Sequence, residues 1–239
     1  MANNRMVVWR GISRLDGVTP IVVLATGLGK QSQNSKTGGM VQTWILRDDI
    51  APHVALRDGL DAAICGTCPH RSPKSGGSGA CYVNVGQGPR STWASHQANG
   101  SAPFDLDAFR GRKVRFGAYG DPAAVPFEVW QAIASVADGV TGYTHAWRTT
   151  DPRFAEFCMA SCDSVDEYRQ ARRAGWRGFV VRPAGSEKPA GLVQCPASAE
   201  AGKRTVCASC MQCGGTGNGR TVSITIQAHG ATRNRFATV

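Results

Sequence analysis

The chain has 239 residues, 42% of them hydrophobic and 18% charged, with a formal charge of +10 at pH 7. That balance is globular, and no apolar run approaches the roughly 18 residues of a membrane span. The opening MANNRMVVWRGISR lacks the apolar stretch of a secretory signal, so the expected place is the cytoplasm, where nine cysteines point to metal or redox chemistry rather than structural disulfides.

The first sixty residues read as strands: VVW at 7 to 9, IVVLATG at 21 to 27 and VQTWIL at 41 to 46. Between the last two, GLGKQSQNSKTGG is a glycine-rich polar loop. Lys30 and Lys36 stand in it, but the spacing of a phosphate-binding P-loop is absent, and a flexible loop near a site is the expectation. KVRFGAY (113 to 119) is the next strand. Gly120-Asp121-Pro122 is turn chemistry, and Phe127, Trp130, Ile133 and Ala134 follow Pro126 at helical spacing. GVTGYTHAW (139 to 147) and EFCMASCD (156 to 163) read as strands. Ser164 and Glu167 form a capping box for a helix that Gly175 closes. GFVVRP (178 to 183), GLVQCP (191 to 196) and VSITIQAH (222 to 229) complete the set.

This alternation predicts one α/β domain on a mainly parallel sheet, open or closed into a partial or complete TIM-like barrel. Residues 1 to 60 would be a β-rich N-terminal extension. Residues 61 to 239 would be the barrel-like metal-cluster domain, with a cysteine-rich metal loop near its end. In such folds the loops after the carboxyl ends of the strands build the site. Gly120-Asp121-Pro122, His145, Asp163, Arg182 and Cys195 each stand at or just past such an end.

Cys195, Cys207, Cys210 and Cys213 are spaced C-x11-C-x2-C-x2-C. Four thiolates so close together suit a tetrahedral zinc or a [4Fe-4S] cluster, and the C-x2-C-x2-C run is more usual for the cluster. Cys65, Cys68 and Cys81 form a second group, C-x2-C-x12-C, in a stretch of Gly, Ser and Pro. Three cysteines bind one metal centre, with His70 or His96 as the fourth ligand of a zinc, or with one iron of a cubane left open for a substrate or cofactor. Cys158 and Cys162 lie four apart on a predicted strand and face one side, as small buried hydrophobes or in a redox or ligand role.

These residues resemble the radical SAM enzymes. Cys65, Cys68 and Cys81 are similar to that family's three-cysteine [4Fe-4S] motif, and Gly120-Asp121-Pro122 to the turn that holds the methionine end of S-adenosylmethionine. Cys195, Cys207, Cys210 and Cys213 are similar to an auxiliary cluster, and the order along the chain is the same. The family's usual motif is C-x3-C-x2-C, whereas this chain has C-x2-C-x12-C; CMASCDSV at 158 to 165 begins like the usual motif, with Val165 in place of the third cysteine. The resemblance spans roughly residues 60 to 230. It implies a parallel barrel, one or two [4Fe-4S] clusters, S-adenosylmethionine and an electron donor. The CPHR turn and downstream CYVN also look like uncharacterised phage and plasmid proteins.

Two functions follow. In an iron–sulfur enzyme, Asp121 would contact a cofactor amine or hydroxyl, and His145 and Asp163 would serve as acid, base or substrate ligands. In a nucleic-acid-binding protein, the cysteines would hold structural zinc or iron–sulfur, the basic surface would meet phosphates, and Trp93, Tyr143 and Trp147 would stack on bases. Lys and Arg are scattered without a long block, so an ordinary basic surface gives the same charge. An enzyme that modifies a base in nucleic acid satisfies both features. A transglycosylase-like barrel with one zinc on Cys207, Cys210, Cys213 and His229 is a further variant, with Cys195 spare.

Overall fold

The computed structural model describes residues 4–32, 34–217 and 219–236. Strand β1 (Arg5–Ile12) pairs antiparallel with β2 (Pro20–Thr26), and β2 pairs antiparallel with β3 (Val41–Arg47). Ile21 to Ala25 are all fully buried, as in a strand covered on both faces. The long crossover after β3 carries α1 (Pro52–Asp58), α2 (Ala62–Cys65) and α3 (Gly88–Asn99). It returns as β4 (Lys113–Tyr119), parallel to β3. Helix α4 (Phe127–Val136) then leads to β5 (Gly139–Thr141), parallel to β4.

The segment expected to be one strand over 139 to 147 is broken. β5 ends at Thr141, and β6 (Tyr143–Thr144) belongs to a second sheet. The break lies at Gly142, where a Cβ would stand 2.6 Å from Cys158 Sγ. There the carbonyl accepts from Met159 N at 2.9 Å and the N–H donates to Cys213 O at 3.3 Å. β7 (Met159–Cys162) is shorter than its apolar run, because Asp151 caps a 3-10 turn over Pro152–Glu156 that uses up the preceding residues. Helix α5 (Val165–Arg173), β8 (Gly178–Arg182), β9 (Val193–Gln194), α6 (Cys207–Cys210) and β10 (Ile224–Gln227) follow.

The fold is therefore α/β with mainly parallel sheets. The orders are β1-β2-β3-β4-β5 and β6-β7-β8-β10-β9, the second wholly parallel. Among the described residues no pairing joins the two sheets or closes either into a ring. The strands of the first sixty residues are continuous with the sheet that carries β4 and β5, and Val22, Val41, Phe116 and Trp130 share one core. Among the described residues no helix is long and apolar enough to cross a membrane.

Strand alternation divides the side chains between this core and a cavity. On β4, Val114 and Phe116 join the core while Arg115 and Gly117 line the cavity, and Tyr119 belongs to both. On β8, Val180 joins the core while Phe179 and Val181 line the cavity. Cys158 and Cys162 are wholly buried in the core, the place expected of small hydrophobic side chains. Trp147 is buried, and Trp93, half-buried, packs on the core while donating from Nε1 to Arg47 O at 3.1 Å.

Candidate metal centre

The loop after β3 is folded by its own backbone. Asp61, almost wholly buried, accepts from Ser75 Oγ at 2.7 Å and from Ser72 N, pinning the turn beyond Cys68. Cys68 N donates to Cys65 O at 3.1 Å, which closes the C-x2-C turn at the end of α2. Gly79 N donates to Arg71 O at 2.8 Å and Cys81 N to His70 O at 3.0 Å. The ten residues 71 to 80 thus form an excursion that brings Cys81 back beside the first two cysteines. Burial pushes the Cys65 thiol up, and Cys68 and Cys81 add to the shift by their proximity. Burial likewise raises Cys81 to about 11, against a hydrogen bond from Val83 and with Cys68 adding to the shift.

The second group comes from the opposite direction. Cys207 N donates to Lys36 O at 2.8 Å and Ala208 N to Thr37 O at 3.1 Å, so α6 hangs on the loop that precedes β3. Arg177, just before β8 and 1% exposed, donates to the carbonyls of Gln212 (2.7 Å), Gly215 (2.5 Å) and Val222 (2.6 Å). Cys195 is set by its N–H on Thr225 O at 2.9 Å. Burial pushes Cys213 up to about 12; a hydrogen bond with Tyr143 opposes this, and Cys195, Cys207 and Cys210 reinforce it.

All seven of these cysteines line one cavity of about 210 Å³. The first group follows the carboxyl end of β3, and the second is anchored before the amino ends of β3 and β8. The two groups thus reach the same cavity from different segments of the chain.

Of the three residues expected to do chemistry, Asp121 and His145 line the cavity while Asp163 is buried behind the two histidines, and each is engaged differently. Asp163 lies between two imidazoles: its Oδ1 is 2.8 Å from His70 Nε2 and its Oδ2 3.2 Å from His145 Nε2. Among the described residues this is the one group of three or more such side chains whose ligand atoms all lie within 4.8 Å of one another. His145 Nε2 is also 4.0 Å from Cys68 Sγ. Burial works against charge on both partners, yet Cys68 and Asp163 hold His145 well above its usual range, and the two histidines hold Asp163 below the usual carboxylate range. His70 is 9% exposed, its Nδ1 is buried without a partner, and its ring stacks on Phe236 at 5.0 Å. Thr232 of the same C-terminal segment donates to Cys81 O at 2.9 Å.

Asp121 also lines the cavity, but its carboxylate holds the frame together. Oδ1 accepts from Ala123 N at 3.0 Å and Oδ2 from His145 N at 2.9 Å, while its own N–H donates to Ile64 O at 2.6 Å. Pro122 opens a 3-10 turn whose first carbonyl accepts from Trp130 Nε1 at 2.9 Å. Gly120 has φ +83, and a Cβ there would stand 2.6 Å from Ile45 Cβ and 2.8 Å from Ile45 O. Gly120→Ala should therefore cost about 2–4 kcal/mol, from strain and overpacking together, read as a lowered midpoint in urea with an unchanged slope. A variant as stable as the parent would show that this turn has room to give.

The remaining candidates separate. His96 lies on α3, with Nδ1 bonded to Ser101 Oγ at 2.8 Å and Nε2 3.2 Å from Arg10 Nη2, away from the cavity lining. Arg182 donates to Ser186 O and to Gln194 Oε1, holding the connection to β9. His229 does line the cavity, with Nε2 3.2 Å from Lys36 Nζ. The glycine-rich loop contributes Lys36 to the cavity. Arg115 had no local motif to announce it, and the CYVN stretch that contains Tyr82 carried no function. Comparison of the chain with protein-family models, with curated proteins and with solved structures finds no match.

Proposed function

We propose that this chain is an iron–sulfur enzyme of radical SAM-like type, with Cys65, Cys68 and Cys81 holding the reactive cluster and Cys195, Cys207, Cys210 and Cys213 an auxiliary one. The observation that carries the reading is that both groups open onto a single cavity. A protein that used metal only to staple loops would have no need to turn both groups toward one enclosed space. The donor chemistry fits. Three thiols in the first group and four in the second suit [4Fe-4S] ligation, and the four also suit a tetrahedral zinc. A cubane spreads its thiolates over separate irons.

When bound, such a cluster supplies one-electron chemistry. The chain's own residues supply the setting. Tyr119, Tyr143, Phe179 and Ile226 line the cavity. Asp163 fixes the imidazoles of His70 and His145 at its rim. In this reading Gly120, Asp121 and Pro122 shape the turn against which S-adenosylmethionine would rest, because both Asp121 oxygens, its N–H and the Pro122 carbonyl are already engaged. The two sheets meeting at Gly142 are read as the wall of a partial barrel. The charge of +10 fits a polyanionic partner, and a base or nucleotide is the substrate class that joins it to the cavity. The competing role, a nucleic-acid-binding protein with structural metal only, loses support because Trp93 and Trp147 are taken up by the core.

Purification without oxygen, followed by metal and sulfide analysis, tests the reading. Brown protein with iron and acid-labile sulfide in equal amounts is expected. Colourless protein holding only zinc would end it.

A further inference from the structure

The cysteines leave one part of the cavity wall unexplained. Arg115, on β4 and 8% exposed, donates from Nη2 to Tyr82 Oη at 2.7 Å, and its guanidinium lies 5.5 Å from the Tyr143 ring centre. Its Nε is buried without a partner. Lys36 Nζ stands 3.2 Å from His229 Nε2; His229 Nδ1 donates to Gln227 O at 3.2 Å, leaving Nε2 to accept from the ammonium. The His229 ring in turn packs on Tyr82 at 5.0 Å. Lys36, Tyr82, Arg115 and His229 thus form one continuous polar cluster, drawn from four separate segments, and all four line the cavity.

Two cations share this cluster, and among the described residues neither forms an ion pair with a carboxylate. Opposite them the wall is apolar, with Phe179 and Val181 from β8 and Ile224 and Ile226 from β10. Like charges held together in a partly buried place favour an opposite charge; Cys195 and Cys207 near Lys36, and Cys207 near Arg115, meet part of that demand, and the unpartnered Arg115 Nε is what remains to be met. Arginine adds a rigid fork matched to the oxygens of a carboxylate or phosphate, and lysine a point charge beside it.

We infer that the cavity is the binding site for a small organic anion, carrying a carboxylate or phosphate that Arg115, Lys36 and Tyr82 receive while its apolar body packs on β8 and β10. The inference rests on the reading of the cavity as an active site between two metal centres, and it adds the class of substrate. Arg115 is bonded to Tyr82, the neighbour of Cys81, and it also lies near Cys207. An anion held there sits between the two cysteine groups.

The test uses the metal-loaded protein, with inorganic phosphate and benzoate as probes, in calorimetry and thermal melts at ionic strength matched with chloride. At least one probe should bind saturably and raise the melting temperature, and which one does so separates phosphate from carboxylate recognition. Arg115→Gln and Lys36→Gln should each weaken that binding by about 10- to 100-fold, the worth of a charge-assisted hydrogen bond, with metal content unchanged. Lys74→Gln, at an exposed site, should change nothing. Lys36→Gln keeps the test decisive if Arg115→Gln folds poorly. The inference is overturned if neither probe exceeds the chloride control, or if binding survives both substitutions. It is also overturned if the variants lose metal from the second group, which would make the cations counter-charges to its thiolates. A protein that binds anions but carries zinc would fail the iron–sulfur reading alone, because neither probe reacts.

Discussion

On the reading proposed above, Cys81→Ala should yield a folded protein that does not hold metal at the first cysteine group. The backbone of residue 81 is fixed from both sides, its N–H on His70 O at 3.0 Å and its carbonyl under Thr232 Oγ1 at 2.9 Å, and alanine keeps both bonds. What disappears is one of three thiols on which the centre depends, so affinity there should fall by about 100-fold or more and any activity with it. Metal analysis and melting curves on the same preparation separate the two effects. Cys158→Ala provides the contrast, since that sulfur is wholly buried in the core. It should lose about 1–2 kcal/mol of stability and keep the metal. Full metal in Cys81→Ala would remove that residue from the centre.

The largest loss of stability should come from a residue that binds no metal. Arg177→Met strips the donors from the carbonyls of Gln212, Gly215 and Val222. The Gly215 carbonyl, left unpaired in a buried place, costs about 1–3 kcal/mol, and the part-buried carbonyls of Gln212 and Val222 add the loss of their charge-assisted bonds. With partial relaxation the total should be about 3–5 kcal/mol, or roughly 10 °C in melting temperature for a chain of this size. The segment released carries Cys210 and Cys213, so metal at the second group should leave with it. Lysine should not rescue the site, because an ammonium lacks the planar fork that reaches three carbonyls at once. A variant that melted with the parent would show that the cysteine loop holds itself.

The two predictions differ in how far sequence alone could reach them. Cys81 stood in a spacing that any reader of cysteines would mark, and the strands around the cavity followed from local apolar runs. The capping box at Ser164 is formed, its hydroxyl accepting from Glu167 N at 3.2 Å, and Gly175 closes α5 with φ +85. The Glu167 carboxylate, however, accepts from Asp163 N at 2.8 Å, one residue earlier than a capping box directs it. That bond helps fix the aspartate between the two histidines. Arg177 and Arg115 carried no pattern, because each acts on groups far away in the chain. Asp121 looked like a ligand because it ends a strand, but the same position also lets it cap its own turn and hold His145. Gly142 was hidden inside an apolar run, where only the crowding of Cys158 reveals a break. Local rules see neighbours along the chain, whereas the cavity is built from neighbours in space.

The stacking of Phe236 on His70, and the bond from Thr232 to Cys81, have a consequence for how the molecule is made. The hydroxyl and the carbonyl it binds are 151 positions apart, and Lys36 meets His229 across 193. A ribosome has released the cysteines at 65, 68 and 81 long before it reaches residue 232. Until then they wait on a loop whose outer wall has not been synthesised. The wall around Cys81 and His70 is therefore closed only after the second cysteine group has itself been made.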